Sequence, residues 1–245
     1  MKEEIAFRLI DLNRGFYQSF AGAFSDTRGR LQPGVVNVLD TLTMDESILD
    51  LGCGNGELAA ELVRRGFSGN YLGIDFSPEM LEIARGKVDS PNYAFHGFDL
   101  TQFEKLTAQR EILSSPFDLV FAFSVLHHIP SEPQRLALTR EIHALLVSQG
   151  RFELSNWNFM ASERMRARVV PWEEVGLVEA DVDEGDYLLD WRREGRGLRY
   201  VHLFSEDELG QLAERSGFRV VGTSYSDGEG GRLGLYQTWV RVEND

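Results

Sequence analysis

Gly52, Gly54 and Gly56 fall at every second position of Ile48-Leu49-Asp50-Leu51-Gly52-Cys53-Gly54-Asn55-Gly56-Glu57-Leu58, between an apolar run and a helical pattern. Backbone without Cβ at such a strand-to-helix turn can press against a ligand. The spacing fits a nucleoside better than a dinucleotide. A dinucleotide fingerprint wants its third glycine one residue later, and Glu57 would set a carboxylate beside a pyrophosphate. Two acids close later apolar runs. Asp75 ends Tyr71-Leu72-Gly73-Ile74-Asp75, where a carboxylate suits both hydroxyls of a ribose. Asp99 follows Tyr93-Ala94-Phe95, where it can accept from an exocyclic adenine amine.

Charge chemistry lies further along the chain. His127 and His128 follow the apolar run Phe117–Ser124. Either can serve as a base toward an amine or hydroxyl, and either can simply pack and shape the loop. Lysine occurs only at Lys2, Lys87 and Lys105, so arginine supplies nearly all the positive charge. Arginine is the side chain that forks onto carboxylate or phosphate. Arg164, Arg166, Arg168, Arg192, Arg193, Arg196 and Arg199 gather late in the sequence. A formal charge of −14 argues against a broad nucleic-acid surface, though a local patch stays open. The five histidines and the single Cys53 show no metal-ligand spacing, so no metal is expected. One cysteine allows no intrachain disulfide and fits a reducing compartment. With no run of ~18 apolar residues and no basic-then-apolar start, a soluble, cytoplasmic protein is expected.

These residues need elements to hold them. At 245 residues and 42% hydrophobic content the chain can bury one sizeable core, read as a single domain over 1–245. Helical spacing over 2–23 and a helix at 33–42 form an N-terminal helical lid (1–44) ahead of the glycine-loop strand. Helix 55–65, strand 70–74, a helix opened by Ser77-Pro78, strand 92–96, strand 117–122, a helix from about 133 and strand 151–157 then alternate. Ser131-Glu132-Pro133-Gln134 and Ser205-Glu206-Asp207-Glu208 read as capping boxes. Such alternation implies an α/β, doubly wound, mostly parallel sheet covered on both faces. Runs 218–225 and 233–242 read as a terminal hairpin. Residues 158–204 break the alternation. They carry an arginine-bearing helical stretch, an acidic stretch over 173–186, and a hairpin pairing 186–191 with 198–202. An insertion there lies beside the C-terminal strand ends, where open α/β sheets bind ligands, and is assigned to substrate binding.

One glycine loop followed by two strand-terminal acids, in that order over about residues 45–157, resembles the class I S-adenosylmethionine (SAM) methyltransferases. The resemblance implies SAM as cofactor, S-adenosylhomocysteine as product, and a seven-stranded sheet ending in an antiparallel hairpin. It implies a donor site drawn from Tyr17, Asp50, Gly52, Cys53, Gly54, Asp75, Phe76, Met80, Asp99, Leu100 and Ser124. Methyl transfer is an in-line displacement, so holding the partners in line can contribute roughly 7–11 kcal/mol. A carboxylate acceptor is already ionised near neutral pH and needs no base.

A narrower similarity runs through Phe16-Tyr17-x-x-Phe20-Ala21-x-x-Phe24-Ser25-x-Thr27-Arg28, Val125-Leu126-His127-His128, Trp157 and Arg199-Tyr200-x-His202-x-Phe204-x-x-x-Glu208-Leu209. These segments look like the tRNA wobble-uridine carboxymethyl methyltransferases. The resemblance implies esterification of a carboxymethyl group on uridine, with Arg28, Arg199 and His202 around the carboxylate, Tyr17 and Trp157 as walls, and Trp157 and Tyr200 binding the substrate. In eukaryotes it also implies a small zinc-binding activator subunit as partner. The acidic stretch and the scarcity of lysine run against a tRNA surface. The sequence therefore leaves three acceptor readings open: carboxymethyluridine in tRNA, a small free acid, and another small molecule methylated on oxygen or nitrogen. A SAM-binding activator without catalysis is a further alternative.

Overall fold

Seven strands form one sheet in the order β3-β2-β1-β4-β5-β10-β9. They are β1 (Ile48–Leu51), β2 (Tyr71–Asp75), β3 (Tyr93–Gly97), β4 (Phe117–Phe123), β5 (Leu146–Trp157), β9 (Phe218–Ser226) and β10 (Gly234–Arg241). The computed structural model describes residues 1–26, 29–105, 113, 116–192, 195–228 and 230–243. β1 pairs in parallel with β2 on one side and β4 on the other, while β10 runs antiparallel to both β5 and β9. The expected doubly wound sheet with an antiparallel terminal hairpin is thus present. Strand order reverses between β1 and β4, and in open α/β sheets the crevice at that reversal is where ligands bind.

Burial follows from the strand sequences. Ile48 of β1 points into a cluster with α2 (Pro33–Leu39), α3 (Glu57–Arg64) and α4 (Pro78–Lys87), through Val35, Leu39, Leu58, Leu62 and Leu81. Leu49 and Leu51 join the opposite cluster with α5 (Glu132–Leu145) and α7 (Glu206–Arg215), through Leu138, Ile142, Leu209 and Leu212. Both faces are covered, which is why these strands read as continuous apolar runs.

The caps divide. Ser77 Oγ accepts the Met80 N–H ahead of first-turn Pro78, and Ser205 Oγ accepts the Glu208 N–H at 3.1 Å. The expected box at Ser131 does not form. Ser131 takes φ +66°, and its hydroxyl makes no cap bond to the helix it precedes.

The N-terminal helix α1 (Glu3–Asp26) is longer than its sequence pattern and kinks at Phe20 (φ −120°, ψ 17°). It packs on a second, three-stranded sheet built from the insertion, β6 (Val169–Val170), β7 (Asp186–Trp191) and β8 (Gly197–His202). Ile5 and Leu9 of α1 share a small core there with Trp172, Leu177, Leu188 and Tyr200. β7 and β8 are the expected hairpin, in register from Asp186↔His202 to Trp191↔Gly197. Two-residue β6, too short to carry a period, was not foreseen. Among the described residues no helix is long and apolar enough to cross a membrane.

Candidate active site

A cavity of about 530 Å³ opens at the C-terminal ends of β1 and β4. Its floor is the glycine loop. Gly54 (φ +53°) and Gly56 (φ +73°) hold left-handed backbone, and for different reasons. A Cβ on Gly56 would meet Ala84 Cβ at 2.7 Å, so that glycine lets α3 approach α4. A Cβ on Gly54 would meet nothing within 4 Å, so that glycine leaves room on the cavity side.

Asp75 braces this loop. Its Oδ2 accepts the Gly54 N–H and its Oδ1 the Ser77 N–H, both at 2.9 Å. Asp99 lies across the cleft, where Oδ1 accepts from Thr101 and Oδ2 from Arg14 Nη2 at 2.8 Å. Burial alone would raise its pKa, but the Thr101 and Arg14 hydrogen bonds prevail and Asp99 stays below its ordinary value. Cys53 is a thiol held protonated, first by burial and then by the nearby Asp50 and Asp75.

Asp50 lines the cavity beneath the loop and accepts from the Tyr71 hydroxyl at 2.5 Å. Burial pushes its pKa up from 3.8 to about 7, with the Asp75 charge adding to the rise against the Tyr71 hydrogen bond. The folded state then binds the extra proton between about pH 4 and 7, so this group's contribution to stability is present at acid pH and lost as pH rises through that window. Asp50→Asn keeps an acceptor for Tyr71 without the buried charge. Without donor, the variant is expected to be more stable than wild type at pH 8, by about 2–4 kcal/mol, with the gap closing toward pH 4. Urea unfolding across that range is the check, and a difference independent of pH would show that ionisation is not its source.

The roof comes from α1 and the insertion. The Tyr17 hydroxyl lies 2.6 Å from His128 Nε2, and His128 Nδ1 lies 3.3 Å from the Tyr200 carbonyl. A carbonyl can only accept, so Nδ1 carries a proton, and in the neutral ring Nε2 then accepts from Tyr17. Asn13 completes the strap. Its Oδ1 accepts the Tyr200 N–H at 2.8 Å and its Nδ2 donates to the Tyr200 carbonyl at 3.1 Å. Arg199, 2% exposed, lines the cavity with its guanidinium among three rings, 4.4 Å from the centroid of Trp157, 5.2 Å from Phe16 and 5.7 Å from Trp191. Ser124 at the end of β4 takes φ +60° and turns the chain toward the histidines.

Of the residues singled out from sequence, Tyr17, Asp50, Gly52, Cys53, Gly54, Asp75, Phe76, Met80, Asp99, Leu100, Ser124, His128, Trp157 and Arg199 line this one cavity. Three do not. His127 is fully buried behind His128, its ring stacked on Trp157 at 5.2 Å and its Nδ1 3.3 Å from Asn156 Oδ1. The Tyr200 ring turns away from the cleft, donating to Asp186 at 2.7 Å. His202 is clamped between Asp186 (2.7 Å) and Glu208 (2.8 Å), tying β8 to α7 rather than facing an acceptor. Burial would lower the His202 pKa, but the two carboxylates outweigh it and the value is raised. Arg28 lies outside the described residues. Asn13, Arg14, Arg30 and Asp227 also line the cavity and were not foreseen. A signal existed for Asn13, a polar residue in step with the apolar positions 5, 9, 16 and 20 of α1.

A sheet of this order, with a glycine loop after its first strand and strand-end acids opening on one cavity, defines a class I SAM-dependent methyltransferase. Residues 23–223 match the family described as a methyltransferase domain, and the chain belongs to it. It is 30% identical over 208 residues to a putative methyltransferase of Encephalitozoon cuniculi, covering 84% of this chain and 86% of that protein. It is 26% identical over 222 residues to the tRNA (carboxymethyluridine(34)-5-O)-methyltransferase of Schizosaccharomyces pombe, covering 85% and 89%. The crystal structure of a SAM-dependent methyltransferase from Methanosarcina mazei shares the fold, with a TM-score of 0.64 at 21% identity over 87% of this chain and 99% of that one. The enzyme is a methyltransferase and its cofactor is SAM. The space left at Gly54 and the acids ringing the cavity fit a nucleoside that carries a cationic sulfonium.

Proposed function

We propose that this enzyme transfers the SAM methyl group to a carboxylate of its acceptor. The observation that carries the reading is Arg199, a permanently charged guanidinium held on the cavity wall by Phe16, Trp157 and Trp191. Three rings crowd it, and a planar fork is the geometry that matches a carboxylate. SAM supplies a methyl group already activated by its sulfonium. The protein's work is then to bind and orient. Asp75 would hold the ribose hydroxyls, Asp99 the adenine amine, and Gly54 the space for the donor. Tyr17 and His128 would wall the acceptor, and a carboxylate acceptor asks no proton of them.

Carboxymethyluridine in tRNA is the acceptor to test first, given the likeness to the S. pombe enzyme over 85% of this chain. A small acid is the second reading, and a specific observation favours it. Arg192 pairs with Asp190 and Arg196 with Glu174, so those arginines do not present one bare cationic face. Labelled SAM incubated with the protein and either acceptor should yield a base-labile methyl ester. If tRNA is the substrate, its binding should fall by about 0.7–0.9 log units per phosphate contact for each tenfold rise in salt. An N-methyl product would overturn the carboxylate reading. Salt-insensitive turnover of a small acid, with tRNA unmethylated at low salt, would overturn the tRNA reading alone.

A further inference from the structure

Arg199 is not the only arginine on the cavity wall; Arg14, Arg30 and Arg164 line it too. Arg14 is spent on Asp11 and Asp99. Arg30 and Arg164 enter no ion pair among the described residues, and both are exposed at the mouth. Both line the same cavity, and backbone contacts tie together the segments that carry them. Arg30 precedes α2, whose Gly34 N–H donates to Asp227 Oδ1 at 2.9 Å. The Asp227 carbonyl accepts the Leu233 N–H at 3.1 Å, and the Leu233 carbonyl accepts the Asn158 N–H at 2.7 Å. Asn158 leads into the short helix Glu163–Arg166 that carries Arg164. Asp227 is the cavity-lining acid in these segments, and both its oxygens are engaged, one by Gly34 and the other by the Tyr236 hydroxyl at 2.6 Å.

The cavity thus has a guanidinium set among rings within and two exposed guanidinium groups at its mouth. We infer that the acceptor is at least a dianion, with the reacting carboxylate at Arg199 and a second anionic group, phosphate or carboxylate, held by Arg30 and Arg164. The inference rests on the carboxylate reading above and narrows it to a substrate class. Arg30 and Arg164 act on acceptor selection and take no part in the transfer itself. Phosphate and carboxylate are both matched by the arginine fork, so the source of the second charge is left to the experiment.

The test is calorimetry on the full chain loaded with S-adenosylhomocysteine, using two ligand pairs. One is 5-carboxymethyluridine against its 5′-monophosphate, the other hexanoate against adipate. The more highly charged member of at least one pair should bind about tenfold tighter, and Arg30→Gln and Arg164→Gln should each remove most of that advantage. Binding of the singly charged members and of S-adenosylhomocysteine should stay within twofold. A gain in the nucleotide pair alone identifies phosphate, and a gain in the acid pair alone a dicarboxylate. Four outcomes overturn the inference: no advantage in either pair, no binding by any of the four, an advantage that survives both substitutions, or weaker S-adenosylhomocysteine binding in either variant. The last would put that arginine on the donor's own carboxylate. Failure of the parent reading looks different. Arg199→Lys would then leave all four ligands unaffected, or the methylated product would not be a base-labile ester.

Discussion

Arg199→Lys should cut kcat/KM by roughly 30- to 160-fold, equivalent to about 2–3 kcal/mol, while SAM affinity changes less than twofold. Lysine keeps the charge but has neither the fork nor a flat face to lie among Phe16, Trp157 and Trp191. Because Arg199 is buried at 2% exposure, the substitution also loosens packing, and the split between turnover and donor binding separates the two effects. A globally destabilised variant would lose both together. Equal loss of donor binding and turnover would therefore remove Arg199 from the acceptor side of the site.

Loss of donor binding is the second large effect. Asp75→Ala removes the carboxylate proposed for the ribose and releases the Gly54 and Ser77 N–H groups it now accepts. The expected cost is about 2–4 kcal/mol, a rise of roughly 30- to 900-fold in the SAM dissociation constant by calorimetry. Gly54→Ala is the companion that leaves those two hydrogen bonds in place. Its Cβ meets nothing within 4 Å, so the fold should survive at the cost of about 1–2 kcal/mol for a left-handed alanine. Donor affinity should nonetheless fall steeply, because the methyl group occupies space assigned to the ligand. Unchanged affinity in both variants would move the donor elsewhere.

What could be read without the structure was what is local. The glycine spacing, the acids Asp75 and Asp99, the apolar runs of β1, β2 and β4 and the hairpin of β7 with β8 are all patterns within a few residues, and the first two mark the side of the cavity proposed for the donor. The side proposed for the acceptor is built across long separations. Arg199 meets rings from α1, β5 and β7, and Asn13 reaches Tyr200 across 187 positions. No period connects such partners. His202 misled for the same reason. Beside Arg199 and Tyr200 it looked like part of one anion site, but alternation along β8 sends neighbouring side chains to opposite faces, and Asp186 and Glu208 claim both its ring nitrogens. Ser131 misled because a capping box presumes ordinary N-cap backbone, and its φ of +66° denies the hydroxyl its approach.

The carbonyl of Tyr200 is shared by two donors, Asn13 Nδ2 at 3.1 Å and His128 Nδ1 at 3.3 Å. One backbone oxygen therefore joins the N-terminal helix, the inserted sheet and an imidazole of the central site into a single equilibrium. Thermodynamic reciprocity then applies: whatever holds the insertion against α1 also favours the imidazole tautomer with its proton on Nδ1, and a ligand that steadies that imidazole strengthens the docking by the same free energy.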